Sequence, residues 1–72
     1  MRGTVTAFDE ARGLGTITAE DGHVYPFHCT QVADGTRTID VGQAVRFEVL
    51  PKLGRYEATA IEKAVGADGA GA

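Results

Sequence analysis

The sequence predicts an all-β domain of five short antiparallel strands closed into a small barrel, and three observations carry the prediction. β-prone runs separated by turn dipeptides recur roughly every 8–12 residues, the spacing of sandwiches and barrels. Ten glycines and no tryptophan suit a turn-rich chain, because glycine supplies the positive-φ positions of tight turns. No stretch has the length and period of an extended helix. Five strands left as an open sheet would expose unpaired edges that invite aggregation, and closure removes those edges.

The first strand is expected from about Gly3 to Phe8. The second runs from about Leu14 to Ala19, with Gly15, Ile17 and Ala19 on one face and Leu14, Thr16 and Thr18 on the other. Asp21-Gly22 marks a hairpin turn. A third strand covers Val24 to His28 and contains Pro26, which offers no ladder donor and demands an edge, a strand start or a bulge. Thr30 to Ala33 suits one helical turn closed by Asp34-Gly35, and a loop then leads through Arg37 to Gly42. In the fourth strand Val45, Phe47 and Val49 alternate with Arg46 and Glu48, as a half-buried strand requires. The fifth, about Tyr56 to Lys63, has two registers, burying either Ala58 and Ala60 or Thr59 and Ile61; the larger Ile61 favours the second. The expected core is Val5, Ile17, Phe27, Val45, Phe47, Val49 and Ile61.

A chain of 72 residues holds one domain, which buries only about 60% of the surface its unfolded chain exposes. That domain is expected over residues 1–65, with Gly66 to Ala72, which has nothing large to bury, as a disordered tail. The one cysteine, Cys29, closes no intramolecular disulfide. It fits a reducing compartment. With no apolar run of membrane-spanning length and no apolar stretch after Met1-Arg2-Gly3-Thr4, a cytoplasmic protein without a membrane partner is expected. Seven Lys plus Arg against ten Asp plus Glu give a net charge of −3, which argues against coating duplex nucleic acid by bulk charge. A local basic groove would have to be assembled by folding.

Catalytic and metal chemistry find no footing. His23, His28 and Cys29 lack the paired spacing of a zinc site. Gly13-Leu14-Gly15 has neither a third glycine nor a following helix, so it is no dinucleotide fingerprint. Cys29 beside His28 implies no pocket for a nucleophile. The chain is read as a non-enzyme without cofactor, metal or small-molecule substrate.

Pattern alone leaves open an SH3-like barrel and an oligonucleotide-binding barrel. A resemblance separates them. Gly3-Thr4-Val5-Thr6-Ala7-Phe8-Asp9 followed by Arg12-Gly13-Leu14-Gly15-Thr16-Ile17 resembles the opening of the bacterial cold-shock proteins, Gly-x-Val-x-Trp-Phe-Asn before Lys-Gly-Phe-Gly-Phe-Ile. Tyr25-Pro26-Phe27-His28-Cys29-Thr30 stands at that family's Val-Phe-Val-His-Phe-Ser, Arg37-Thr38-Ile39 at its Lys-Thr-Leu, and Gly42 to Val49 follows its Gly-Gln-x-Val-x-Phe-Glu-Val. The likeness covers about residues 3–63.

The resemblance implies an oligonucleotide-binding fold that takes single-stranded RNA or DNA on outward rings of strands one to three, with cations tracking phosphates. Each stacked base contributes ~1–3 kcal/mol with little sequence preference. Carried over position by position, the family's rings become Ala7, Phe8, Leu14, Thr16, Pro26, His28, Cys29 and Thr36. Only Phe8 and His28 keep a ring. Six losses at ~1–3 kcal/mol each, though not additive, decide against tight binding through that platform. The resemblance makes Phe8, Arg12, His28, Arg55 and Tyr56 the candidate nucleic-acid-binding residues: Phe8 and His28 stack bases, Arg12 stands at a phosphate-contacting lysine, and Arg55 and Tyr56 lie near a further contact loop. Packing is the competing reading for Phe8, a solvated turn charge for Arg12 and an exposed strand start for Tyr56. A weak, sequence-tolerant binder of RNA-chaperone or transcription- and translation-regulator type is therefore expected. The other reading is a protein-interaction or structural barrel that has largely lost nucleic acid.

Overall fold

The computed structural model describes residues 1–33, 35 and 38–64; the expectations for Asp34, Thr36, Arg37 and the tail from Gly66 lie outside the described residues. The five strands are β1 (Arg2–Asp9), β2 (Leu14–Ala19), β3 (Val24–His28), β4 (Ala44–Lys52) and β5 (Arg55–Lys63). A 3₁₀ turn over Cys29–Gln31 succeeds β3, slightly ahead of the helical turn expected from Thr30 to Ala33. The strands form one sheet in the order β3-β2-β1-β4-β5, every pair antiparallel.

The expectation of a closed barrel is met only as far as this five-stranded sheet, since no ladder joins β3 to β5 among the described residues. The two edges are tied instead by the residues just beyond the 3₁₀ turn: Val32 bridges to Ile61 in parallel, and Ala33 N–H donates to the Ile61 carbonyl at 2.7 Å. Pro26 supplies a physical reason for the gap. Ala19 N–H donates to His23 and Cys29 N–H to Gly13, which sets the bonded pairs of the β2–β3 ladder at odd positions. Thr16 and Pro26 therefore form a non-hydrogen-bonded pair. The proline nitrogen faces the open edge, where a closing strand would need a donor and finds none.

Two bulges decide which side chains reach the core. In β1, Val5 pairs with Ile17 but Ala7 pairs with Thr16, so Thr6 is an extra residue. Beyond a bulge the alternation inverts. Ala7 thus points outward, while Phe8 turns in to pack on the core across from Gly15. In β5 the pairing shifts between Arg46–Glu62 and Glu48–Thr59, and Ala60 has a φ of 50°. The two registers foreseen for β5 each hold on one side of this irregularity, so both Ala58 and Ile61 are buried.

The buried core comprises the expected Val5, Ile17, Phe27, Val45, Phe47 and Ile61, joined by Ala19, Val32, Ile39 and Ala58. Val49, expected inside, is only half-buried. It lies beyond the Ala44–Arg46 segment where β4 pairs with β1, so on that side it has no third strand beside it. The β4–β5 hairpin closes on Leu53 (φ 42°) and Gly54 (φ 87°), the two positive-φ positions of a type I′ turn. Leu53 is fully exposed and gains nothing that offsets a left-handed backbone costing ~1–2 kcal/mol. Leu53→Asn is expected to raise stability by about 1 kcal/mol, read as a melting midpoint higher by ~4–8 °C. A lower midpoint would show that the leucine side chain is held in solution.

Candidate nucleic-acid interface

The outward face of β1, β2 and β3 is set by the pairing. Leu14 lies beside His28, Thr16 beside Pro26 and Thr18 beside Val24, while Ala7 flanks Thr16 from β1. Leu14 and Val24 stay substantially exposed. Where rings are absent, hydroxyls form a ladder: Thr18 Oγ1 donates to Thr6 Oγ1 at 3.1 Å, and Thr6 Oγ1 lies 3.1 Å from Thr16 Oγ1. Thr6 joins this row because it follows the inward Val5. Sequence alternation placed Thr16 and Thr18 together, but the ladder needs the shifted β1–β2 register, which no single strand reveals.

At one end of this face stands His28. Thr30 N–H donates to its Nδ1 at 3.3 Å and Thr30 Oγ1 lies 3.1 Å from the same nitrogen. A backbone N–H can only donate, so Nδ1 carries the lone pair and Nε2 is left as the ring's N–H donor. Arg12 sits in the adjacent β1–β2 turn, where the Asp9 carbonyl accepts from Arg12 N–H at 3.2 Å and from Gly13 N–H at 2.8 Å. Cys29 N–H reaches the Gly13 carbonyl at 2.7 Å, which ties the turn that carries Arg12 to the strand end that carries His28. Arg12 and His28 are both exposed.

Phe8 is differently placed. It is half-buried and stacks on Phe27, with centroids 6.0 Å apart and planes 2° from parallel. Gly15 lies between them in the register Phe8–Gly15–Phe27. A Cβ there would stand 2.6 Å from both the Phe27 ring and the Ala7 carbonyl, so this close approach requires glycine. Tyr25 likewise packs toward the core, its ring 5.8 Å from that of Phe47.

Arg55 and Tyr56 open β5 on the β4–β5 hairpin. Among the described residues no hydrogen bond or ring contact joins them to Arg12 or His28. Arg55 Nη2 lies 3.5 Å from Glu57 Oε2, and Lys52 shares that carboxylate at 3.8 Å; exposed pairs of this kind contribute ~0–1 kcal/mol. Tyr56 pairs with Pro51 and is 59% exposed, which leaves its ring accessible. In the β2–β3 turn, His23 N–H donates to Asp21 at 3.0 Å, and that bond, with the His23 ring, holds the Asp21 carboxyl below the usual carboxylate range. Among the described residues no three His, Cys, Asp or Glu side chains gather as a metal site, and no helix is long and apolar enough to cross a membrane.

The architecture is that of an all-β, oligonucleotide-binding-type domain whose candidate ligand surface is the outside of its first three strands. The chain belongs to the cold-shock domain family. The family model, described as 'Cold-shock' DNA-binding domain, matches residues 1–64. A cold shock-like protein CspA of Stigmatella aurantiaca is 45% identical over 49 residues, covering 65% of this chain and 72% of that protein. A cold shock-like protein CspD of Escherichia coli is 40% identical over 50 residues, 67% of this chain and 68% of that one. Among solved structures, Drosophila Unr CSD456 superposes with a TM-score of 0.72 at 32% identity over 86% of this chain. This chain spans only 25% of that longer one.

Proposed function

We propose that this domain binds single-stranded RNA or DNA weakly, in the micromolar range or looser, with little sequence preference. It acts in the cytoplasm as a chaperone or regulator of transcription or translation, and not as an enzyme. The observation that carries this reading is the joining of Arg12 and His28 at one end of the β1–β3 outer face by the Cys29–Gly13 bond. A cation for phosphate and a ring N–H for a base edge thus stand beside a ring-poor floor of exposed Leu14 and half-buried Thr16 and Pro26. Family membership supports the ligand class, and the missing rings support the weakness. Phe8 contributes an edge at most, because its face is taken by Phe27. Arg55 and Tyr56 add a separate contact on the hairpin.

Titration with oligothymidine, followed by amide shifts, tests the reading. Amides near Arg12 and His28 are expected to move at high micromolar concentration, and a duplex should move them less. Phe8→Ala should cost less than the ~1–3 kcal/mol of a fully stacked base, since only its edge is offered, while Arg12→Ala should flatten the salt dependence by about 0.7 in log–log slope. No shift at millimolar oligothymidine would sink the nucleic-acid reading. It would favour the protein-interaction barrel, for which exposed Leu14, Val24, Leu53 and Tyr56 offer apolar contact.

A further inference from the structure

The outer face continues past the threonine ladder into an open groove of about 920 Å³, lined by Arg2, Thr6, Thr18, Glu20, Arg46 and Lys63 among others. Three cations and one acid line this groove in a chain whose net charge is −3. Two of the cations are set against each other. Arg2 and Arg46 are direct partners in the β1–β4 ladder, and like charges placed opposite on one face of a sheet destabilise it. Arg46 finds partial relief in Glu62, 3.4 Å away across β5. Arg2 has no ion pair among the described residues. Local chemistry that works against the fold marks a functional position, and a polyanion laid between two facing guanidinium groups removes the repulsion.

We propose that this groove is a second phosphate-binding segment of the domain, taking the backbone of the same single strand that crosses the Arg12–His28 end. The inference rests on the nucleic-acid reading above and extends its footprint. Along β2 the outward residues Leu14, Thr16 and Thr18 lead from His28 to the groove, and Thr6 and Thr18 belong to both the ladder and its lining. At ~3.3 Å per residue, Leu14 to Glu20 spans roughly 20 Å, room for several nucleotides. The small threonine side chains let the strand lie close to the sheet over the stretch without rings, and Arg2 and Arg46 hold it at the far end. Affinity lost by stacking is thereby partly replaced by charge, with no gain in sequence preference.

Oligothymidines of about four and about eight nucleotides, near the short end of single-fold site sizes, separate the two segments. The wild-type domain is expected to bind the longer strand more tightly and with a steeper salt dependence. The double variant Arg2→Gln, Arg46→Gln should bind the short strand as before, lose the advantage of length, and show a log–log salt slope smaller by about 1.4, two single-strand contacts at ~0.7 each. Glu20→Gln, which removes the acid from the groove, should tighten the long strand alone. Arg2→Gln by itself should leave the melting midpoint unchanged or higher, since it ends a like-charge pairing. The proposal is overturned if the double variant keeps both the length advantage and the slope, or if Arg2→Gln lowers the midpoint and so reveals a structural role. If neither strand binds the wild-type domain, the underlying nucleic-acid reading fails with it, an outcome distinct from binding that ignores Arg2 and Arg46.

Discussion

Phe27→Ala is expected to remove most of this domain's stability. Phe27 is 2% exposed, sits mid-row in the core and carries the parallel stack with Phe8. Truncating a buried phenylalanine to alanine costs ~3–5 kcal/mol, because the lost transfer energy is joined by a cavity that rigid neighbours cannot fill. The surroundings here are unusually unable to close in. Gly15 contributes no side chain, and Phe8 is held by its own strand. Against this loss stands a total stability of roughly 4–11 kcal/mol for a 72-residue domain. The lower part of that range is the relevant one, since a chain this short buries a small core and Cys29 is a free thiol. Thermal unfolding followed by circular dichroism should show a midpoint lower by ~12–40 °C. A fall under about 5 °C would mean that the Phe8–Gly15–Phe27 row does not form the core.

The legible and illegible parts of the fold divide along one physical line. Alternation within a strand is a local property, so the outward set Leu14, Thr16 and Thr18 and the inward set Val45 and Phe47 were legible without any partner. Bulges are properties of a pair of strands. The extra Thr6 inverts β1, and it changes Phe8 from an apparently outward ring into one that packs on Phe27. The irregularity at Ala60 similarly lets β5 bury both Ala58 and Ile61, an outcome that neither uniform register allows. Closure is decided by a pair of strands in the same way: edge exposure argues for a barrel, but Pro26 turns a donor-less nitrogen to the edge that would have to pair, and no β3–β5 ladder forms among the described residues.

The candidate site divides in the same way. His28 and Arg12 could be singled out in the sequence because the family resemblance puts them at a base-stacking and a phosphate-contacting position, and the Cys29–Gly13 hydrogen bond brings their two segments together. The facing of Arg2 and Arg46 was not, since they are far apart in sequence and meet only through the β1–β4 register. In the sequence all seven cations are spread along the chain. Folding alone gathers three of them around one groove.

Returning rings to the outer face should strengthen binding more than any other change to this surface. Leu14→Phe with Thr16→Phe restores two of the positions at which the family stacks bases. Both lie on β2 and face outward: Leu14 is 45% exposed between Asp9 and His28, and Thr16 is flanked by the small Ala7 and by Pro26. Losing the Thr16 hydroxyl removes an exposed hydrogen bond, at a cost near 1 kcal/mol to the fold. Against that, two stacked bases contribute roughly 2–6 kcal/mol to binding if the effects add, a tightening of about 30-fold to 10⁴-fold for oligothymidine. Because every base has a π-face, the gain should be similar across pyrimidine-rich sequences, and duplex DNA of the same sequence should gain little. Fluorescence titration of the double variant against the wild-type domain reads the ratio directly. An unchanged affinity would mean that the single strand does not cross β2, and the outer face would then be better explained as a surface for another protein.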